Sequence, residues 1–124
     1  MKKHDTLPSG ELEIMQILWQ CSPPVSRSTI ESKLKEKKNL APSTILTFLT
    51  RLCERGFLSV SHNGRTNLYT PLISKKDYLA EESRRMLDRL YGGSLSAFAV
   101  SLCDSGVSKE EIEELRKMLE EGNL

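Results

Sequence analysis

Residues 42–56 have the sequence PSTILTFLTRLCERG, which carries the clearest helical pattern in the chain. Its apolar side chains recur at i, i+3, i+4, i+7 and i+8, as on one face of an α-helix. They are Ile45, Phe48, Leu49, Leu52 and Cys53. Pro42 suits the first helical position, where a missing N–H costs nothing, and Gly56 suits the position just after the end. The stretch therefore predicts one complete helix with both of its ends.

A second helix is predicted immediately before this one. Ser26 is a good N-cap, and Ile30 and Leu34 form a narrow apolar face. Asn39 suits a left-handed residue after the helix end. Only two residues then precede Pro42, and two helices joined by so short a turn form a helix-turn-helix.

The flanking segments complete a recognisable order of elements. An amphipathic helix is predicted over residues 8–20, and it ends before Pro23-Pro24. Residues 57–61 and 67–70 have strand-like composition, and Asn63-Gly64 between them is a strong hairpin signal. The order helix, helix-turn-helix, hairpin predicts a winged helix in residues 1–73.

Residues 74–124 predict three more short helices, capped by Ser74, Ser94 and Ser108. About 50 residues of short amphipathic helices are too few to build an independent core, so their apolar faces need a partner. The simplest partner is the same segment of a second chain, related by a two-fold axis. We therefore predict a helical dimerisation domain here, and a mainly α fold with a small β-hairpin for the chain. The residues expected in the dimer interface are Tyr91, Leu95, Phe98, Leu102, Leu115 and Leu119.

The charges are divided unequally between the two predicted domains. Residues 1–74 hold 10 Lys and Arg against 6 Asp and Glu, whereas residues 75–124 hold 8 against 11. A basic half joined to an acidic half permits a nucleic-acid partner for the first half only.

Composition and motifs argue against several other classes of protein. No apolar run approaches the ~18 residues of a membrane span, and no signal peptide is recognisable, so we expect a cytoplasmic protein without membrane insertion. Cys21, Cys53 and Cys103 lack the spacing of metal ligands, and there is no P-loop or dinucleotide motif. We therefore expect no metal and no cofactor. Cys53 and Cys103 fall on apolar stripes, which predicts that both are core residues.

The side of the third helix opposite its apolar stripe carries short hydroxyl side chains, one leucine and one arginine. Such a surface suits the major groove of DNA, because methyl groups can touch thymine methyls and hydroxyls can reach phosphates or base edges. An arginine at the hairpin tip can lie along the backbone or enter a narrow minor groove. The predicted DNA-binding residues are Ser43, Thr44, Leu46, Thr47, Thr50, Arg51 and Arg65.

Two alternatives from other functional classes stay open at this point. A winged helix can serve as a protein–protein interaction module without DNA binding, and the exposed position of Leu46 favours that function. An enzyme would require a pocket that joins Cys53, as the nucleophile, to His62, as the base. The acidic run Glu110–Glu114 is interpreted as a solvated helix face and not as a metal site. We expect no enzymatic activity.

Several distinctive strings occur together and in order along the chain. They are ELEIM at 11–15 with LW at 18–19, TFLTRL at 47–52, GFL at 56–58, Tyr69, LYGG at 90–93 and IEEL at 112–115. Through them, the chain resembles the penicillinase-repressor (BlaI/MecI) family of bacterial transcriptional regulators from about Leu7 to Gly122. The LYGG string before a short helix is the most specific part of the resemblance.

The resemblance implies a homodimer that represses by binding dyad operators of double-stranded DNA ahead of β-lactamase or related resistance genes. It also implies induction by a membrane-bound metalloprotease sensor, whose signalling leads to cleavage of the dimerisation domain. The cleaved Asn-Phe bond of the β-lactam repressors aligns with Ser101-Leu102 here. Better known members have basic residues at the positions of Ser43 and Leu46. The cysteine motif of the copper-responsive relatives has no counterpart after Cys103.

Overall fold

The structure, a computed structural model, describes residues 4–122. Six helices and three strands follow one another in this range. They are α1 (Ser9–Gln20), β1 (Val25–Ser26), α2 (Arg27–Lys35), α3 (Pro42–Glu54), β2 (Leu58–Asn63), β3 (Thr66–Pro71), α4 (Lys75–Tyr91), α5 (Leu95–Asp104) and α6 (Lys109–Glu121). The predicted fold class, a mainly α winged helix-turn-helix with a small β element and a helical C-terminal part, is confirmed.

Most helix ends lie where the sequence predicts them, because each is set by local side-chain chemistry. The hydroxyl of Ser26 accepts from the Thr29 N–H at 3.2 Å, and Ser108 forms a capping box with Glu111. Asn39 is an exception. Within the described residues only glycines have a positive φ, so Asn39 is not left-handed, and α2 already ends at Lys35.

The sheet has one more strand than the predicted hairpin. Its strand order is β1-β3-β2, and both pairs are antiparallel. Val25 pairs with Tyr69 across β1 and β3, so the residue directly before the N-cap Ser26 also extends the sheet. The hairpin turn is centred on Gly64 and Arg65, because Asn63 pairs with Thr66 as the last step of the ladder. Gly64 has φ +65°, which fits the first central position of a type II′ turn.

The chain divides into two compact units that meet between Glu82 and Ser83. The first unit contains the apolar core, formed by α1, α2, α3, the sheet and the start of α4. Tyr78 of α4 is buried there, and its hydroxyl accepts from the Leu7 N–H at 3.0 Å. Trp19 donates from Nε1 to the Ile73 carbonyl at 2.9 Å. These two bonds anchor the beginning of α4, beyond the position between residues 73 and 74 where the sequence predicts the domain boundary.

The second unit has no fully buried side chain among its described residues, 83–122. The rings of Tyr91 and Phe98 meet edge to face with centroids 5.5 Å apart, yet both side chains stay partly accessible. Leu95 is 68% exposed and Leu119 is 58% exposed. Cys103, predicted as a core residue, is exposed in the single chain, because the apolar face that carries it is not covered within this unit. No helix in the described part of the chain is long and apolar enough to cross a membrane.

Candidate nucleic-acid interface

The orientation of α3 is fixed by the apolar side that it turns to the core. Ile45, Leu49 and Leu52 are buried to 3% exposure or less. The opposite side is consequently left to solvent, as the helical period requires. Ser43, Leu46, Thr47, Thr50 and Arg51 are exposed on that side, and Thr44 is half-buried.

The hydroxyl groups in the middle of α3 are bound to their own helix. Thr47 Oγ1 donates to the Ser43 carbonyl, and Thr50 Oγ1 donates to the Leu46 carbonyl, each at 2.9 Å. Each hydroxyl has one proton, so neither has a second one to offer to a phosphate or a base. What these threonines present outward is a methyl group and oxygen lone pairs. In the free protein, Thr47 and Thr50 therefore have oxygen lone pairs and methyl groups available to a partner.

An ion pair between a buried glutamate and a partly exposed arginine holds the C-terminal end of α3 against α1. The Glu11 carboxylate is 1% exposed, and its Oε1 accepts from Arg55 Nη1 at 3.1 Å. Gly10, the residue before Glu11, lies so close to Phe48 in the middle of α3 that a Cβ there would be 2.7 Å from the ring. The first turn of α1 therefore contacts α3 at its middle and at its C-terminal end, and these two contacts fix how α3 is presented.

The wing, defined here as β2, β3 and their turn, lies beside α3. Arg65 is exposed in the turn, where the sequence predicts it. His62 and Asn67 face each other across the ladder, with His62 Nδ1 2.6 Å from Asn67 Oδ1. A small hollow of about 170 Å³ separates the wing from α3, and Leu46, Thr50 and Val60 are among its lining residues. The wing and the outer side of α3 therefore form one continuous surface.

Sequence reasoning missed a second contribution to this surface, from the start of α2. Arg27 and Ser28 line a hollow of about 360 Å³ together with Arg65, Thr66 and Asn67 of the wing. Glu31 lines the same hollow, and its carboxylate is paired with the Arg27 guanidinium at 2.9 Å. The first turn of a helix carries free backbone N–H groups and a partial positive charge, which suits an anion such as a phosphate. The pairing of β1 with β3 brings this helix end to the wing, and no local sequence pattern indicates that.

Cys53 and His62, the side chains considered for an enzyme, both line the hollow between the wing and α3, but the thiol is not activated there. Burial, followed by the nearby Glu54 carboxylate, raises the pKa of the Cys53 thiol, so the thiol stays protonated at neutral pH. His62 makes its described hydrogen bond to Asn67. In the acidic run of α6, Glu113 pairs with Arg116, and this hydrogen bond lowers the pKa of the glutamate. That contact fits a solvated, ion-paired helix face.

The residues predicted for dimerisation lie on helices of the second unit. Tyr91 ends α4, Leu95 and Phe98 lie on α5, and Leu115 and Leu119 lie on α6. Leu95, Leu115 and Leu119 are exposed in the single chain. The Ser101-Leu102 bond lies inside α5, with Ser101 exposed and Leu102 half-buried.

Comparison with known sequences links nearly the whole chain to one family. The profile of the family described as penicillinase repressor matches residues 7–121. The penicillinase repressor of Bacillus licheniformis is 34% identical over 122 residues, which cover 98% of this chain and 94% of the relative. The methicillin resistance regulatory protein MecI of Staphylococcus aureus strain N315 is 28% identical over 114 residues, 91% of this chain and 92% of the relative.

Solved structures of similar sequence cover the first part of the chain. The solution structure of the DNA binding domain of the repressor BlaI superimposes with a TM-score of 0.56 at 35% identity, over 63% of this chain and 94% of that one. The monomeric form of Bacillus licheniformis BlaI in complex with the blaP half-operator gives a TM-score of 0.54 at 35% identity, with the same coverage. The second of these similar structures contains DNA.

Proposed function

The chain belongs to the penicillinase repressor family, and on this premise we propose that it is a cytoplasmic transcriptional repressor, not an enzyme, that binds operator DNA. The observation that carries the proposal is the outer side of α3, which is exposed to solvent and flanked by the wing. The helix is 13 residues long. A helix held in this way fits the major groove, which is about 12 Å wide. The similar BlaI domain in complex with a half-operator supports the same function.

Within the proposed complex the contacts divide into two groups. Ser43, Thr44, Leu46, Thr47 and Thr50 face the base edges from α3. Phosphates are held by Arg51 of α3, by Arg65 of the wing and by Arg27 with the start of α2. Phosphate contacts position the protein, whereas base contacts specify the sequence.

The functional state is proposed to be a homodimer on a dyad operator. The second unit has no buried side chain in residues 83–122, so a single chain gives it no apolar core. A second copy related by a two-fold axis covers the same exposed leucines on both chains. Two winged helices in one dimer then hold two half-sites of one operator.

Induction is proposed to act on this dimer through a membrane-bound metalloprotease sensor, with β-lactamase or related resistance genes under control. The proposed cleavage is at Ser101-Leu102. A cut there divides α5 and detaches α6 from the DNA-binding unit, so the dimer is lost while the α3 surface stays intact. Because the bond lies within a helix, cleavage requires local opening of this segment.

The cleavage proposal predicts a defined fragment in cells. Extracts of induced cells should contain a fragment that ends at Ser101, detected by mass spectrometry of the intact protein. The control changes the exposed residue before the bond and leaves Leu102 of the dimer interface in place: Ser101→Asp should prevent cleavage and keep repression under inducing conditions. An induced culture in which repression is relieved while the chain remains whole would contradict this route of release.

The proposed function itself is tested by selection from random duplex DNA with the full-length protein, followed by titration of the enriched sequence. We expect an inverted repeat to be enriched and to bind far more tightly than unrelated DNA. A protein that enriches no sequence and binds no duplex at low salt would instead be a protein–protein interaction module.

A further inference from the structure

The side chains in the middle of α3 expose methyl groups, while their hydroxyl protons are already used in hydrogen bonds within the helix. The protons of Thr47 Oγ1 and Thr50 Oγ1 are both committed to carbonyls one turn earlier, at 2.9 Å. Leu46 lies between them on the same exposed side and is itself 38% exposed. The three side chains therefore present carbon atoms and oxygen lone pairs, and no N–H group.

The wing extends this apolar surface. Val60 of β2 is 43% exposed, although it is a strand valine beside the core. It lines the hollow of about 170 Å³ together with Leu46 and Thr50. On the side of α3 the hollow is therefore lined by Leu46 and Thr50, and on the side of the wing by Val60 together with the polar side chains His62 and Asn67.

Base pairs differ in what they present to such a surface. Guanine offers only acceptors in the major groove, N7 and O6, and these require donors such as an arginine fork. Thymine offers its C5 methyl group, which is matched by apolar contacts. Facing Leu46, Thr47 and Thr50, a guanine leaves its acceptors without partners, and an unpaired polar group that loses its water is costly.

We propose that the middle of α3 selects A·T pairs by contact with thymine methyl groups and disfavours guanine at the same steps. This inference rests on the proposed function, because it requires α3 to lie in the major groove. It assigns Leu46, Thr47 and Thr50 as the residues that determine sequence preference in each half-site.

The first measurement uses operator DNA from which one methyl group at a time is removed. Once the operator is known from selection with the full chain, each thymine is replaced in turn by uracil, which removes only the C5 methyl group. Loss of one buried methyl contact should weaken binding about fourfold. We expect this loss at one or two adjacent thymines of each half-site and no change at the other thymines.

The second measurement assigns the contact to the protein side chains. Thr47→Ser and Thr50→Ser each remove one methyl and keep the hydroxyl, so the uracil penalty should disappear in the variant that contacts that thymine. The matched variants Thr47→Val and Thr50→Val keep a methyl, and the penalty should persist in them. Leu46→Arg adds donors and should shift one step per half-site from A·T to G·C in a repeated selection.

The outcomes separate this inference from the function on which it rests. If the protein binds no DNA, the proposed function fails and this inference fails with it. If the protein binds an operator with guanine at these steps, or binds uracil and thymine operators equally well, the inference is wrong and DNA binding stands. An unchanged uracil penalty in the serine variants and in Leu46→Ala would likewise overturn the assignment to these residues.

Discussion

Glu11 is a charged side chain of the first unit that is almost completely withdrawn from solvent, at 1% exposure. Its partner Arg55 is partly exposed. Replacing this arginine by alanine therefore removes a charge near the surface and leaves the buried charge of Glu11 in place. Arg55→Ala leaves a buried carboxylate without its described partner, and it should lower the free energy of unfolding by about 2 kcal/mol. Urea unfolding measures this loss.

The matched control for Arg55→Ala is Arg51→Ala, on the same helix but on its exposed side. It should change the free energy of unfolding by no more than about 0.5 kcal/mol. Adding Glu11→Gln to Arg55→Ala should recover part of the loss, because a neutral amide costs less to bury than a carboxylate. Equal stability of the two single arginine variants would show that the ion pair does not hold α3 against α1.

Arg51 and Arg65 are both exposed, Arg51 on α3 and Arg65 in the turn of the wing. Each alanine variant should weaken binding to all DNA sequences alike. Each should also reduce the slope of log K against log salt by about 1, because one phosphate contact is lost. Titrations at several salt concentrations provide the slopes. Unchanged slopes in both variants would remove these arginines from the interface.

Among the secondary-structure elements, the wing depends on one backbone conformation. Gly64 has φ +65°, and a Cβ there would meet no atom within 4 Å. A side chain at this position would therefore cost energy through its backbone conformation and not through a steric clash with neighbouring residues. Gly64→Ala should therefore cost about 1 kcal/mol through strain and tilt the turn that presents Arg65. Operator affinity should fall while the melting of the helices changes little.

The control for this substitution is Asn63→Ala, on the residue before the turn, which leaves Gly64 in place and should affect affinity less. Calorimetry and operator titration of both variants test the prediction. Gly64→Ala and Asn63→Ala proteins with identical affinities would show that the turn conformation does not control the wing.

In the molecule as a whole, the two compact units differ in how they bury apolar surface. The first has a core of its own, whereas the second exposes leucines on α5 and α6. Phe98 lies among them, half-buried by Tyr91. Phe98→Ala should weaken the proposed dimer by roughly 3–5 kcal/mol, because a two-fold interface loses the ring twice.

Sedimentation at micromolar concentration checks the effect of Phe98→Ala on assembly. Leu46→Ala, on the DNA-facing side of the first unit, serves as the control and should leave the dimer intact. The Phe98→Ala protein should also bind the operator weakly, since one winged helix contacts one half-site. A fully dimeric Phe98→Ala protein would exclude Phe98 from the intersubunit core.

The sequence alone was sufficient to predict the helices, most of their ends and the hairpin. These features depend on residues a few positions apart, such as the apolar stripe of α3 or the Ser108–Glu111 capping box. Gly56 and Gly122 end their helices with positive φ, as their positions predict. The exposed side of α3 follows from the same periodicity, because burying Ile45, Leu49 and Leu52 directs the opposite side chains outward. The DNA-binding roles and the interface residues remain predictions.

Tertiary structure alone decided the features that join distant parts of the chain. Residues Val25 and Ser26 are too few to show a strand pattern, and they form β1 only because β3 offers them partners more than 40 positions later. The same pairing brings Arg27 to the wing. Glu11 is buried because Arg55 reaches it across the helix pair, and a single glutamate in an amphipathic helix carries no sign of that. Local patterns encode local geometry, whereas burial and proximity depend on which elements pack together, and that choice is made by the whole core at once.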